Sequence, residues 1–223
     1  MISTWRKTSL SVLLIGIVAA GTTAPTTLAA SSALKTKVLY RANFRAGVHG
    51  WRALGTGWSV SNGMATNSGG GAGIFVAPFV PHTSRYAITA KMRLLAWRNL
   101  DCCLVSNFGV VFRSNLGNPL SDNSQGLVGG VYNGSLAGMK IVQAAFTTAH
   151  TNPDIYPQAA DYDPGHSWHT VRVEVKSNTL VLKIDGNEAT RANNLNRYFS
   201  NRGLGLISYA TQLQVSSFVV TQM

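Results

Sequence analysis

Beyond residue 30 the chain repeatedly alternates apolar and polar residues, and no stretch there keeps a helical period. Tyr86, Ile88, Ala90, Met92 and Leu94 fall on one side of an extended chain, with Ala87, Thr89, Lys91 and Arg93 on the other. Val171, Val173 and Val175 oppose Thr170, Arg172, Glu174 and Lys176 in the same way. Leu180, Leu182 and Ile184 repeat the pattern against Val181, Lys183 and Asp185. One apolar face per strand predicts antiparallel sheets that each pack on one side. Between these runs stand Asn62-Gly63, Ser177-Asn178 and Asp185-Gly186. Asn-Gly and Asp-Gly suit two-residue hairpin turns, which need positive φ at both central positions. Residues 168–191 therefore predict a three-stranded meander.

Further strands are expected near 37–44, 58–61, 64–66, 73–79, 108–113, 126–132, 138–143, 203–209 and 212–222. About a dozen short strands separated by Gly-rich turns predict an all-β, two-sheet antiparallel sandwich. Two long stretches, the polar Asn115 to Gln125 and Ala144 to Gly165 with three of the eight acids, predict loops of a length that is usually functional or disordered.

The first 30 residues predict a cleavable signal peptide. Arg6 and Lys7 precede an uncharged apolar run from Val12 to Gly21, and Leu28-Ala29-Ala30 offers a cleavage neighbourhood. That run is about half the ~20 residues a membrane-spanning helix needs, so no membrane insertion is expected after cleavage; an uncleaved signal anchor is the alternative. The expected organisation is a signal peptide over 1–30, one domain over 31–223, and a secreted, extracellular location.

Charge narrows the partners. The chain carries 19 Lys and Arg against 8 Asp and Glu, a net charge of +11. Without Arg6 and Lys7 the balance is 17 to 8, or +9. Such a protein is attracted to polyanions, although a basic solvated surface that aids solubility explains the same number. The cations are scattered singly, with no basic run or groove-reading helix, so nucleic acid is not expected as a partner. The two cysteines, Cys102 and Cys103, are adjacent. Buried thiols, cross-links to another chain and a strained vicinal disulfide all fit an oxidising compartment.

Trp168-His169-Thr170-Val171-Arg172-Val173-Glu174-Val175, followed by Asn178-Thr179-Leu180 and Ile184-Asp185-Gly186, resembles the tryptophan strand, hairpin and "v-D-G" turn of concanavalin A-like lectin and glucanase jelly rolls. The likeness is greatest to the laminin G-like and keto-disaccharide-hydrolase-like domains of secreted bacterial proteins. Phe44, Gly50-Trp51 and Gly57-Trp58 through Gly63 match the amino-terminal element. Gly109-Val110-Val111-Phe112-Arg113 matches the central strand, and Gly203 to Leu206 with Phe218-Val219-Val220 match the closing strands. The resemblance implies a jelly roll and a carbohydrate-related role, whether lectin, binding module or hydrolase.

Retaining hydrolysis needs two carboxyl groups about 5 Å apart. Only Glu174 and Glu188 are glutamates, and the E-x-D-x-x-E strand of laminarinase-like members is missing. Glu174, paired with Asp185, is the one weak catalytic candidate. The three acids of the second long stretch, Asp154, Asp161 and Asp163, could serve a catalytic or calcium role, with Asp161 and Asp163 at i, i+2; a solvated Pro-Gly turn is the alternative. The stretches matching the family's calcium positions, Arg41 to Phe44 and Ser216 to Phe218, lack carboxylates, and His166 and His169 lack converging ligands. No metal or cofactor is expected. Sugar binding asks for flat aromatic faces with a few polar groups. Trp97, Tyr132, Tyr209 and Trp168 are the aromatic candidates, with Arg113 and Arg93 as donors. Arg113 alternates away from Val110 and Phe112, which predicts that it points to the open side of its sheet. The expected function is a secreted carbohydrate-binding or cell-surface-adhesive module for a glycan, charged or uncharged. A keto-disaccharide-hydrolase-like enzyme and a non-catalytic accessory domain are the alternatives.

Overall fold

The computed structural model describes residues 36–47, 49–98, 105–115, 126–134, 139–143, 158–193 and 202–223, and for 105, 132–134, 139–143 and 158–161 it describes the backbone alone. Cys102 and Cys103, residues 1–35, and most of the two long stretches, Asp154 included, lie outside this set. Lys35–Met223 forms one compact unit.

In chain order the strands are β1 (Val38–Arg41), β2 (Arg52–Gly55), β3 (Trp58–Ser61), β4 (Met64–Ser68), β5 (Ala72–Val76), β6 (Arg85–Trp97), β7 (Val105–Ser114) and β8 (Leu127–Gly134). They continue with β9 (Met139–Gln143), β10 (Gln158–Asp161), β11 (His169–Lys176), β12 (Thr179–Ile184), β13 (Asn187–Ala192), β14 (Gly203–Tyr209) and β15 (Thr211–Gln222). Eight form one sheet in the order β13-β12-β11-β6-β15-β4-β3, with β1 also on β15. Seven form the other, in the order β10-β9-β8-β7-β14-β5-β2. All pairings are antiparallel, as the alternation predicts. The result is the two-sheet jelly-roll sandwich.

The long strands β6 and β15 run side by side through the eight-stranded sheet, from Thr211 opposite Trp97 to Gln222 opposite Tyr86. Ile88, Ala90, Met92 and Leu94 of β6 join Val171, Val173 and Val175 of β11 in the core between the sheets. The seven-stranded sheet contributes Phe75, Phe108, Val110, Phe112, Leu204 and Leu206. At one end Trp51 sits 4.7 Å from Phe75 and meets Phe218 edge-on at 5.2 Å. Its indole N–H donates to the Tyr40 hydroxyl at 2.8 Å, so burying it leaves no unpaired donor. Trp58 stacks on Phe75 at 5.4 Å.

The three turns form as their residues predict. Asn62 and Gly63 have φ of 51° and 74°, and Asp185 and Gly186 have 50° and 87°. Each joins strands across two residues, as does Ser177-Asn178. Asp185 does more than turn the chain: its carboxylate accepts from the Thr170 N–H at 2.7 Å and bonds the His169 ring at 2.6 Å. Burial raises its pKa, but those two partners outweigh burial and hold it below the usual carboxylate range.

Two strands depart from the expectation. β2 has no clear alternation, and β10 closes the stretch expected to be loop from Ala144 to Gly165. Both are edge strands completed by their neighbours, β5 and β9.

The outward side of β11 and β12 carries an ion cluster. The buried Glu174 carboxylate receives Arg172 at 3.0 Å, Lys183 at 3.0 Å and Lys176 at 3.3 Å. Burial would raise its pKa, yet hydrogen bonds from Lys183, Arg172 and Lys176 outweigh it and bring it down to about 2. A carboxylate depressed in the folded state stabilises fully above its ordinary pKa, and the contribution is lost as pH falls through the folded value. Glu174→Gln is therefore expected to cost about 2 kcal/mol at pH 7, discounted for the partly exposed cations. Thermal melts should show the gap to the unsubstituted protein shrinking from pH 4.5 downward and vanishing near pH 2; an unchanged gap at pH 2 contradicts the assignment.

Candidate functional site

Because Phe108, Val110 and Phe112 face the core, Asn107, Gly109 and Val111 of β7 face away from it. Register extends this outward face across the seven-stranded sheet. Asn107 lies opposite Tyr209 of β14 on one side and Tyr132 of β8 on the other. The next row holds Ile74, Ile207, Gly109 and Gly130. Beyond it come Val76, Gly205, Val111 and Val128.

Ile74, Val76, Val111, Val128 and Ile207 form a second apolar cluster, separate from the main core, with Leu54 packed against it. All five are buried although they face away from the other sheet. Gly109 and Gly130 bring β7 and β8 unusually close: a Cβ on Gly109 would lie 2.7 Å from the Gly130 Cα. Gly109 and Gly130 themselves contribute no side chain between the tyrosine row and the valine row.

Asn107 is the polar feature of this apolar face. The residue is only 7% exposed, and its Oδ1 has no hydrogen-bond partner. A buried acceptor left unpaired costs about 1–3 kcal/mol, so native chains keep few of them, and those call for an explanation. Nothing in the sequence marks Asn107. It is a small polar residue in a strand, and only the fold reveals its surroundings.

The residues proposed from sequence divide among four places. Tyr209, half-buried, and Tyr132 share the row with Asn107; the Tyr132 side chain lies outside the described residues. Trp97 packs against Phe108 at 5.8 Å, at the end of the main core. Trp168 lies at the eight-stranded sheet, where the Arg93 guanidinium sits 4.9 Å from its ring centre. Arg93 is itself fixed by a 2.8 Å hydrogen bond to Gln214.

Arg113 does not point to the open side of its sheet. Two steps of β14 from Gly203 to Gly205 oppose three steps of β7 from Ser114 to Val111, a bulge. Arg113 sits in it with φ of 50°, and its guanidinium donates to the Ser177 carbonyl in the β11–β12 turn of the other sheet. Burial lowers its pKa, partly offset by Tyr86. It ties the two sheets together.

The weak catalytic candidate is committed elsewhere. Glu174 is enclosed by its three cations, and Asp185 is bonded to Thr170 and His169, so the two do not form an acid–base pair. Asp163 caps its own turn by accepting from the Gly165 N–H at 2.9 Å. His166 faces the Leu94 carbonyl, while His169 bridges Asp185 and the Pro164 carbonyl. Among the described residues no three His, Cys, Asp or Glu side chains gather as a metal would require.

No family model matches the chain, and no curated protein matches it. Solved structures do. A carbohydrate-binding module, CBM66 from Bacillus subtilis, is 11% identical with a TM-score of 0.53, the match covering 78% of this chain and 96% of that one. The carbohydrate recognition domain of Emp46p, in metal-free form, is 14% identical with a TM-score of 0.54, over 78% and 88%. The Crh5 transglycosylase in complex with NAG is 14% identical with a TM-score of 0.55, over 84% and 86%. At such identities the likeness is one of architecture, and this chain shares the two-sheet jelly roll of all three.

Proposed function

We propose that the protein is a secreted carbohydrate-binding or cell-surface-adhesive module whose site lies where the half-buried Tyr209 meets Asn107, at the margin of the buried apolar cluster on the outward side of the seven-stranded sheet. The unpaired Asn107 Oδ1 carries this reading. A sugar hydroxyl can donate to that oxygen while the apolar face of the ring lies against a tyrosine. Tyr209 and Tyr132 flank Asn107 by register, which supplies aromatic positions on both sides. The cluster around Val111 and Ile207 excludes water and strengthens the polar contact. Arg52, at the edge opposite Val76, is the one cation described on this face, so the site suits an uncharged glycan.

The fold neighbours support a carbohydrate role, since a binding module and a recognition domain share the architecture. Binding is favoured over hydrolysis because Glu174 is held near a pKa of about 2 by its cations, too acidic to donate a proton near neutral pH. The narrower likeness to laminin G-like and keto-disaccharide-hydrolase-like domains rests on the sequence motifs. Export rests on the signal-peptide reading of residues 1–30, and the intact mass of protein recovered from the medium should correspond to a chain beginning near residue 31.

A glycan array should register binding to uncharged oligosaccharides. Asn107→Ala and Tyr209→Ala should each weaken it about tenfold. Asn107→Ala should not lower the melting temperature, because the removed acceptor had no partner to lose and its burial cost is relieved. Arg113→Ala should do the opposite, lowering the melting temperature and leaving affinity unchanged. Wild-type affinity in both Asn107→Ala and Tyr209→Ala, or no binding to any uncharged glycan, overturns the assignment.

A further inference from the structure

The two outward faces differ in charge. On three adjacent strands of the eight-stranded sheet, β6, β11 and β12, the residues turned away from the core include Arg85, Lys91, Arg93, Arg172, Lys176 and Lys183. Glu174 is the one carboxylate among them, which leaves this patch at +5. The next strand cancels itself, because Arg191 bonds Glu188 at 2.8 Å.

The patch is ordered by its own carboxylate. Glu174 lies beneath Arg172, Lys176 and Lys183 and bonds all three, yet neutralises only one charge. The cations so held keep 28%, 41% and 29% of their side chains exposed. Three like charges at this spacing would repel one another and splay without it. Cross-strand neighbours are about 5 Å apart and alternate residues about 7 Å apart, so the backbone positions that carry the cations repeat at these intervals. Lysine 176 faces Arg85 across one strand boundary, and Lys183 faces Arg172 across another.

We propose that this face is a second binding surface, distinct from the one around Asn107, for a linear polysaccharide bearing one carboxylate per sugar unit. The charge pattern supplies the attraction, and neutral groups between the cations select a sugar chain. Lys91 lies between Thr170 and Ser217, whose hydroxyls can bond sugar hydroxyls between successive carboxylates. Trp168, under Arg93, adds an aromatic surface at the margin. Reading the bases of a duplex nucleic acid would need a helix or ribbon that enters a groove, and the described strands of this face present neither. With an uncharged glycan on one face and a polyuronate on the other, a single domain joins two polymers.

The test uses the folded domain beginning near residue 31, with polygalacturonate as probe, in affinity electrophoresis and titration at several salt concentrations. Binding is expected at 50 mM NaCl (roughly a tenth of a molar or less, where screening is weak) and should fall steeply as salt rises. The double variant Arg85→Gln, Lys91→Gln should bind roughly tenfold more weakly. Neither residue takes part in the Glu174 cluster, and unchanged melting will show that the fold is kept. Asn107→Ala should bind polygalacturonate as the unsubstituted protein does, which separates this proposal from the uncharged-glycan site. No binding at low salt, or full binding by the double variant, overturns it. Equal or tighter binding to heparin or duplex DNA of matched charge also overturns it, because the surface would then be reading charge alone.

Discussion

A β-strand turns successive side chains to opposite sides, and the architecture of this protein rests on that constraint. In β6, β11 and β15 one set of alternate residues is apolar and meets the matching set of β7 and β14 across the sandwich. Once that stripe is committed inward, the identity of the outward residues on the central strands follows wherever no bulge intervenes. Thr89, Lys91 and Arg93 must face away from the core on one sheet, and Asn107, Gly109 and Val111 on the other. The functional surfaces are therefore the reverse side of the packing pattern, and a one-residue slip in register would exchange the two.

The two reverse sides have been used differently. On the eight-stranded sheet they are charged and organised around a buried carboxylate, Glu174, that serves as a structural counter-ion. On the seven-stranded sheet the described residues are mostly apolar, with an unpaired amide oxygen at Asn107. Arg113 connects the two sheets instead of serving either surface, because the bulge in β7 turns it toward Ser177.

Where a physical signal is local, the sequence was enough to read it. Tyr86 to Leu94 showed its period directly, and Asn62-Gly63 and Asp185-Gly186 announced turns through the positive φ both positions adopt. Arg52 to Gly55 and Gln158 to Asp161 showed no period, because edge strands take their conformation from the neighbour that pairs with them. The direction of Arg113 followed from alternation only until the bulge added a residue, and bulges leave no mark at the resolution of apolar and polar letters. The aromatic candidates were chosen by residue type. Deciding which face each belongs to required the strand order, which placed Tyr209 and Tyr132 together and Trp168 on the opposite side. Asn107 could not be singled out at all, since an unpaired acceptor is defined by what surrounds it.

The central claim is that the face around Asn107 receives an uncharged sugar. Nuclear magnetic resonance of the folded domain, titrated with the uncharged oligosaccharide that binds best on the array, tests it most directly. The account predicts that the Asn107 side-chain amide and the ring signals of Tyr209 and Tyr132 shift together with one saturation curve, while Arg93 and Trp168 stay in place. Shifts confined to Trp168 and its neighbours on β6 and β11, with Asn107 unmoved, would contradict it.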